Sequence, residues 1–404
     1  MRRKRVASAK SERVDAVAPE PDHRNRGSRL FVTELKLFNF RNYARAALEL
    51  DQRPVVLVGD NGAGKTNLLE AVSLLGPGSG LRGRPLGELG RKAGPGGFAV
   101  AARVMSHHGE VEIGTGLEAV HGADATSRAV RIAGKESSPG ALGDHVKLAW
   151  LIPAMDGLFT GSASERRRFL DRLMLAIDPK MRGPRARYDR AMRQRNRLFQ
   201  LREGSPVLFA GLEEQMAEAG TAIAASRLDA VARLTRFIGE AVTKRGEGPF
   251  PYALLSLDGT LEAALTEAPA VEVEDDFRRS LQEGRDRDRA AGRALAGPHL
   301  SDLLVVHGPQ NAPAETCSSG EQKALLLGLV LAQAELIKEL EGASPLLLLD
   351  EVAAHLDSAR REALFQEILR LELQAWMTGT DGDLFASLAP HAQILTVIQG
   401  KIRT

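Results

Sequence analysis

One cysteine in 404 residues leaves no partner for an intrachain disulfide and no set of thiolates for a metal site. Aromatic residues make up only 4% of the chain, and 54 Lys and Arg against 52 Asp and Glu leave a formal net charge of +2. A chain this close to neutral cannot hold nucleic acid by net charge, so any basic surface must come from local clustering. No apolar run is long enough to span a bilayer, and the basic start, MRRKRVASAKSERVDAVAPEPDHRNRGSR, lacks the apolar stretch of a secretory signal. Sustained heptads, which long coiled-coil arms require, are missing too. The expectation is a soluble cytoplasmic protein with no membrane partner. Its 43% hydrophobic content suffices for one large core or two smaller ones.

Residues 1–28 combine charge, proline and serine with few apolar side chains, so a disordered basic arm is expected there. Order begins near Leu30. LFVTELKLFNFRNY alternates as a strand does, and PVVLVG is a short apolar run of the kind buried on both faces of a sheet. It leads into GDNGAGKTNLLEAV, which matches G-x-x-x-x-G-K-[ST] through Gly59, Gly64, Lys65 and Thr66, between a strand and a helix-forming run. Glycines let the backbone wrap a triphosphate while its N–H groups and the helix N-terminus supply directed positive potential. The expected ATP contacts are Gly59, Asp60, Asn61, Gly62, Ala63, Gly64, Lys65, Thr66 and Asn67. Lys65 would reach the β- and γ-phosphates, and the Thr66 hydroxyl would ligate Mg²⁺.

Far downstream, SPLLLLDEVAAHLD is a second buried-strand run, and it ends in two acids. Paired with the glycine loop, this predicts Asp350 as the second Mg²⁺ ligand and Glu351 as the catalytic base that polarises the attacking water. Shortly before it, TCSSGEQKALLLGLVLAQAEL opens like a capped helix, with Ser318 and Glu321 spaced as a capping box. A cap satisfies the first N–H groups of any buried helix, but the same free N–H groups can also receive a phosphate.

Ser-Ser-Gly-Glu-Gln ahead of a Leu-rich strand ending in Asp-Glu resembles the signature of the ABC-type ATPases. The resemblance implies that Ser318, Ser319, Gly320, Glu321 and Gln322 close over nucleotide bound to a second copy, and hence an ATP-dependent homodimer. Glu321 stands where transporters usually carry a second glycine. About two hundred and fifty residues separate the P-loop from this signature, more than the transporter plan holds, which points to the SMC-like branch. Within it the chain resembles the RecF family, on LFNFRNY, GDNGAGKTNLLEAV, FTGSASERRRFLDRL, GPHLSDL, SSGEQK, LLLDEVAAHLD, TGTD and VIQGKI, in matching order and spacing from Leu30 to the end.

That resemblance implies an α/β P-loop ATPase lobe with an inserted, mainly helical second lobe. The expected division is a basic arm at 1–28, ATPase lobe at 29–160 and 291–404, and helical lobe at 161–290. It also implies a slow ATPase of replication and recombinational gap repair, active in the DNA-damage (SOS) response. ATP would close the dimer on double-stranded DNA near single–double strand junctions and gapped DNA, beside the nucleoid. RecR would be the partner, RecA the protein loaded, and hydrolysis the release step. Alternatives are another SMC-like DNA-repair ATPase or a transporter-coupled ABC ATPase; the long insertion and the absence of a Q-loop glutamine in KLAWLIPAMDG argue against the latter.

RGPRARYDRAMRQRNRLFQLRE is a strongly basic helical stretch, and Arg185, Arg187, Arg193 and Arg197 are its candidate DNA-phosphate contacts. The same arginines could equally lay their stems over apolar surface, and the sequence leaves both readings open. RRSLQEGRDRDRAAGR alternates its charges and reads as a surface helix with internal ion pairs. Three departures from the family pattern stand out. Leu300 and Ser301 occupy positions that commonly hold Arg and Asp, so a polar contact near His299 is expected to be missing. Asp156 is the one carboxylate where a glutamine would sense the γ-phosphate. Thr380 and Asp381, with no histidine, follow the penultimate strand, from which slow hydrolysis is expected.

Overall fold

The computed structural model describes residues 29–106, 109–118, 127–246 and 248–403, so the expected basic arm at 1–28 lies outside the described residues. A hairpin of β1 (Phe31–Phe40) and β2 (Tyr43–Glu49) opens the fold, followed by β3 (Val55–Val58) and the helix α1 (Lys65–Ser73). Next come β4 (Phe98–Ser106), β5 (Gly109–Leu117), β6 (Ala129–Ile132), β7 (Lys135–Ser137) and β8 (Leu148–Leu151). Helices then dominate: α2 (Ala163–Ile177), α3 (Arg182–Leu201), the 40-residue α4 (Pro206–Arg245), and, after β9 (Ala253–Asp258), α5 (Thr260–Glu267), α6 (Ala270–Glu283) and α7 (Arg285–Ala291). The chain returns through β10 (Asp302–His307), β11 (Ala312–Pro313), α8 (Ser319–Glu341), β12 (Leu346–Leu349), α9 (Ser358–Arg370), β13 (Ala375–Gly379), β14 (Gln393–Ile398) and β15 (Lys401–Arg403).

The central sheet has the order β15-β14-β3-β13-β12-β8, parallel except for the edge pair β14/β15. A parallel sheet must be covered on both faces, which is why its strands read as apolar runs. β12 shows how this works: Leu346 and Leu348 join one core and Leu347 and Leu349 the other. The first core lies between the central sheet, α1 and the antiparallel sheet β2-β1-β4-β5-β6-β7. The second gathers α2, α4, α8 and α9 against the opposite face. Gly59, just past β3, has no room for a side chain, since an added Cβ would sit 2.2 Å from the Val397 carbonyl oxygen.

A third sheet, β11-β10-β9, joins strand β9, from within the stretch expected to be mainly helical, to β10 ahead of the signature. Between α6 and α7 the chain breaks at Gly284, so the alternating-charge stretch is two helices rather than one. Arg278–Asp275, Arg279–Asp276 and Arg289–Asp286 pair locally, as the spacing implied, but Arg285 pairs with Glu213 of α4 and Asp288 with Arg195 of α3, so the stretch also ties helices together. Among the described residues no helix is long and apolar enough to cross a membrane.

Candidate functional site

The loop between β3 and α1 exposes Asp60, Asn61 and Gly62 and buries Ala63, Gly64 and Lys65. Gly64 caps α1 with φ of +119°, a conformation that L side chains rarely adopt. It offers no side-chain cap, so the first-turn N–H groups of α1 are left for another acceptor. The Lys65 Nζ curls back and donates to the carbonyls of Gly59 at 2.6 Å and Asp60 at 2.9 Å. Beside it the Thr66 Oγ1 donates to Asp350 Oδ1 at 2.9 Å, across 284 residues of sequence. Asp350 is the residue directly after β12, so the strand run and the glycine loop converge on one pair of oxygens. Two hard oxygen donors at this spacing fit the Mg²⁺ that accompanies a triphosphate.

Thr378, near the end of β13, was missed from sequence. Its hydroxyl donates to Asp350 Oδ1 at 2.8 Å and accepts the Glu351 N–H at 2.8 Å. The available signals were a lone hydroxyl in the apolar run AWMTG and its place as the first residue of TGTD. Glu351 itself sits in the left-handed region, φ 56°, which turns its side chain out of strand direction at the sheet's carboxyl edge.

The turn between β1 and β2 was also missed as part of the site. Asn42 Nδ2 donates to Ala63 O at 3.0 Å, the Tyr43 hydroxyl donates to Gly64 O at 3.0 Å, and Asn67 Nδ2 donates to Asn42 Oδ1 at 2.8 Å. Arg41 forks onto buried Glu70 of α1 at 2.7 and 2.9 Å. The segment NFRNY thus braces the glycine loop from below. Its polar residues at the end of an alternating strand were the available clue.

At the start of α8 the capping box forms: Ser318 Oγ accepts from the Glu321 N–H, and the Ser318 N–H donates to Glu321 Oε2 at 2.8 Å. The Ser318 hydroxyl also donates to Glu321 Oε2, and these bonds hold the Glu321 carboxyl below its usual range. Gln322 is turned inward, its Nε2 donating to Cys317 O at 2.8 Å and Glu315 O at 3.3 Å. Ser319 and Gly320 stay exposed. The five signature residues therefore divide: Ser318, Glu321 and Gln322 shape the cap, while Ser319 and Gly320 face outward. Among the described residues, no hydrogen bond or ion pair joins residues 318–322 to residues 59–67 of the same chain.

Of the candidate DNA contacts, Arg185 is paired with the buried Asp171 at 3.0 Å and Arg187 with Glu218 at 3.2 Å, so their charges are already matched. Arg193 and Arg197 are exposed. Arg195 of the same helix is fully buried between Glu213 and Asp288, so it holds the helices together. The expected gap near His299 is not what the structure shows. His299 Nδ1 meets the Tyr188 hydroxyl at 2.7 Å, and Ser301 Oγ donates to both oxygens of Glu262 at 2.8 Å, so polar contacts are made with different residues. Asp156, the carboxylate of the stretch that lacks a Q-loop glutamine, pairs with Lys323 of α8 at 2.9 Å. Asp381 accepts its own turn's Asp383 N–H at 2.9 Å.

The RecF/RecN/SMC N terminal domain model matches residues 31–399. The chain is 54% identical over 374 residues to the DNA replication and repair protein RecF of Mesorhizobium japonicum, covering 92% of this chain and 97% of that one. It is 49% identical over 383 residues to the RecF of Brucella suis, covering 94% and 98%. A solved structure of the recombination mediator protein RecF-ATPrS in the RecFOR pathway aligns with a TM-score of 0.79 at 22% identity, over 93% of this chain and 98% of that chain, and supports the fold. With a loop that can cradle phosphate, an acid at the sheet's edge and relatives this similar along nearly their whole length, the chain belongs to the RecF family of SMC-like, ABC-type DNA replication and repair proteins.

Proposed function

We propose that this protein is an ATP-operated DNA clamp whose nucleotide site lies at the meeting of Thr66 and Asp350. The observation that carries the reading is this oxygen pair, 2.9 Å apart, beside a lysine seated in a glycine loop. Residues 59–67 would hold the triphosphate, with Lys65 leaving its two carbonyls for the β- and γ-phosphates. Thr66 and Asp350 would hold Mg²⁺, which supplies charge neutralisation at the phosphates. Glu351 takes a proton from water; Thr378 fixes the backbone on which Glu351 sits.

Ser319 and Gly320, exposed at the helix start, would complete the site of a second copy, which makes the working unit a homodimer. The nucleotide lobe is assigned to 29–160 and 291–404 and the helical lobe to 161–290, with the β9–β10 pair as the bridge. Hydrolysis is slow, because Asp156 is committed to Lys323 and the residues directly after β13 are Thr380 and Asp381, with no histidine among them. The dimer would hold double-stranded DNA near gapped junctions in the nucleoid, with RecR as partner, and would aid RecA loading. Light scattering with and without ATP, Mg²⁺ and gapped duplex tests this. A dimer should form only with ATP, persist on DNA, and be lost in Lys65→Met; a Lys65→Met protein that binds ATP and dimerises like the parent would overturn the assignment.

A further inference from the structure

The helix that opens the candidate nucleotide site has nothing of its own at its far end. α1 carries no acid in its first turn and no base in its last, and neither Leu74 nor Leu75 turns left-handed to close the chain back onto the last carbonyls. The partner comes from the antiparallel sheet. Arg128, directly ahead of β6, donates through Nη2 to Leu74 O and, at 3.2 Å, to Gly76 O, and through Nη1 to Gly78 O at 2.6 Å. Its Nε donates to the Thr115 hydroxyl at 2.7 Å. Thr115 is buried in β5 and donates in turn to Ala129 O at 3.2 Å, so the guanidinium is aimed from behind.

What this fork lacks is a carboxylate. Among the described residues Arg128 makes no ion pair, and Glu70, the one acid of α1, is taken up by Arg41. Burial pushes the Arg128 guanidinium down to about 10. A cation drawn partly out of water costs stability unless something of opposite sign faces it. Here the opposite sign is the group of carbonyls at the negative pole of α1. Any neutral N–H donor could satisfy those carbonyls as hydrogen-bond acceptors; a full charge also changes the field along the helix.

We infer that Arg128 is a positioning residue for the nucleotide and acts through α1: its charge cancels the negative pole at the Leu74 to Gly78 carbonyls, which leaves the positive pole at Lys65 and Thr66 unopposed toward the triphosphate. The inference rests on the nucleotide reading above and adds to it a residue that never touches the ligand. α1 has nine residues, so its ends lie about 13 Å apart. Across that distance, mostly through protein, one charge changes the affinity for a triphosphate by about three- to tenfold. The effect grows with the charge of the ligand, which a packing effect does not.

Calorimetry on the full chain with ATP and with ADP, each with Mg²⁺, beside urea unfolding of every variant, separates charge from packing. Arg128→Lys keeps the charge and loses the fork, so it should lose stability while its ATP affinity stays within about twofold of the parent's. Arg128→Gln keeps a donor and loses the charge, so its ATP affinity should drop about three- to tenfold and its ADP affinity by a smaller factor. Arg128→Met places an unbranched neutral stem in the same space and should repeat that result, and it replaces the glutamine variant should that one not fold. Val130→Ala, a buried position in β6, should cost stability and leave both affinities parental. A folded neutral variant that binds ATP as the parent does overturns the inference. So does an Arg128→Lys protein that loses as much affinity as Arg128→Gln, or a Val130→Ala protein whose affinity falls in step with its stability. A parental chain that binds no ATP would instead sink the nucleotide reading itself.

Discussion

Thr378→Val keeps the shape of a buried side chain, 1% exposed, and removes only the hydroxyl that joins Asp350 to the Glu351 backbone. Two hydrogen bonds disappear. Each contributes about 1 kcal/mol net, and the Glu351 N–H is left without its acceptor at a position where water reaches it only in part. Asp350 keeps the Thr66 hydroxyl, so it is not orphaned. The expected cost is about 2 kcal/mol in urea unfolding. Thr378→Ser keeps the hydroxyl and loses one buried methyl, for which about 0.8 kcal/mol is expected. The order of the two variants decides the matter. A serine variant less stable than the valine variant would mean that Thr378 is there to fill space, and the bridging role would be refuted. Calorimetry adds a second readout: the valine variant should lose Mg²⁺-dependent ATP affinity, because Asp350 is no longer aimed by β13, while the serine variant should retain it.

Glu351→Gln keeps size and removes basicity, so steady-state hydrolysis should drop at least about a hundredfold while the ATP-bound dimer lives longer on DNA; a parental rate would remove Glu351 from the mechanism. Ser319→Arg should stay folded and bind ATP yet fail to dimerise, and mixing it with Lys65→Met should restore part of the turnover through one intact composite site. An ATP-dependent dimer formed by Ser319→Arg alone would refute completion in trans. His299 is held below its usual value of 6.5, chiefly by burial, so the folded chain resists a proton that the unfolded chain accepts. Stability should therefore be full above about pH 6.5, fall as pH drops below it, and level off once the folded imidazole titrates as well. His299→Gln should remove that part of the slope in urea midpoints measured against pH.

The elements that carry the candidate nucleotide site were legible because their chemistry is local. A strand, glycines at fixed offsets and a capped helix write themselves into a short window, as do four leucines before Asp350. What stayed hidden depends on contacts across long stretches of chain. Thr378 comes to Asp350 only because β13 lies beside β12, and nothing in AWMTG says which strand is its neighbour. The NFRNY turn braces the P-loop only once β1 has packed over the central sheet. The basic helix stayed open for the same reason: its arginines look alike in sequence, and only the partners Asp171, Glu213 and Asp288, contributed by other helices, set Arg185 and Arg195 apart from the exposed Arg187, Arg193 and Arg197.

β12 has a further consequence. Its four residues are all leucine and both cores are apolar, so sliding this strand by one residue would exchange leucine for leucine; what the slip would break is the bonding of Asp350, at the strand's end, to the Thr66 and Thr378 hydroxyls. Asp350 and Glu351 are therefore mounted on a part that cannot creep, and no gradual adjustment of their height above the sheet is open to the protein. In the proposed clamp, what brings chemistry on would arrive from outside, as a loop, a helix start or a second copy swung toward a fixed anvil.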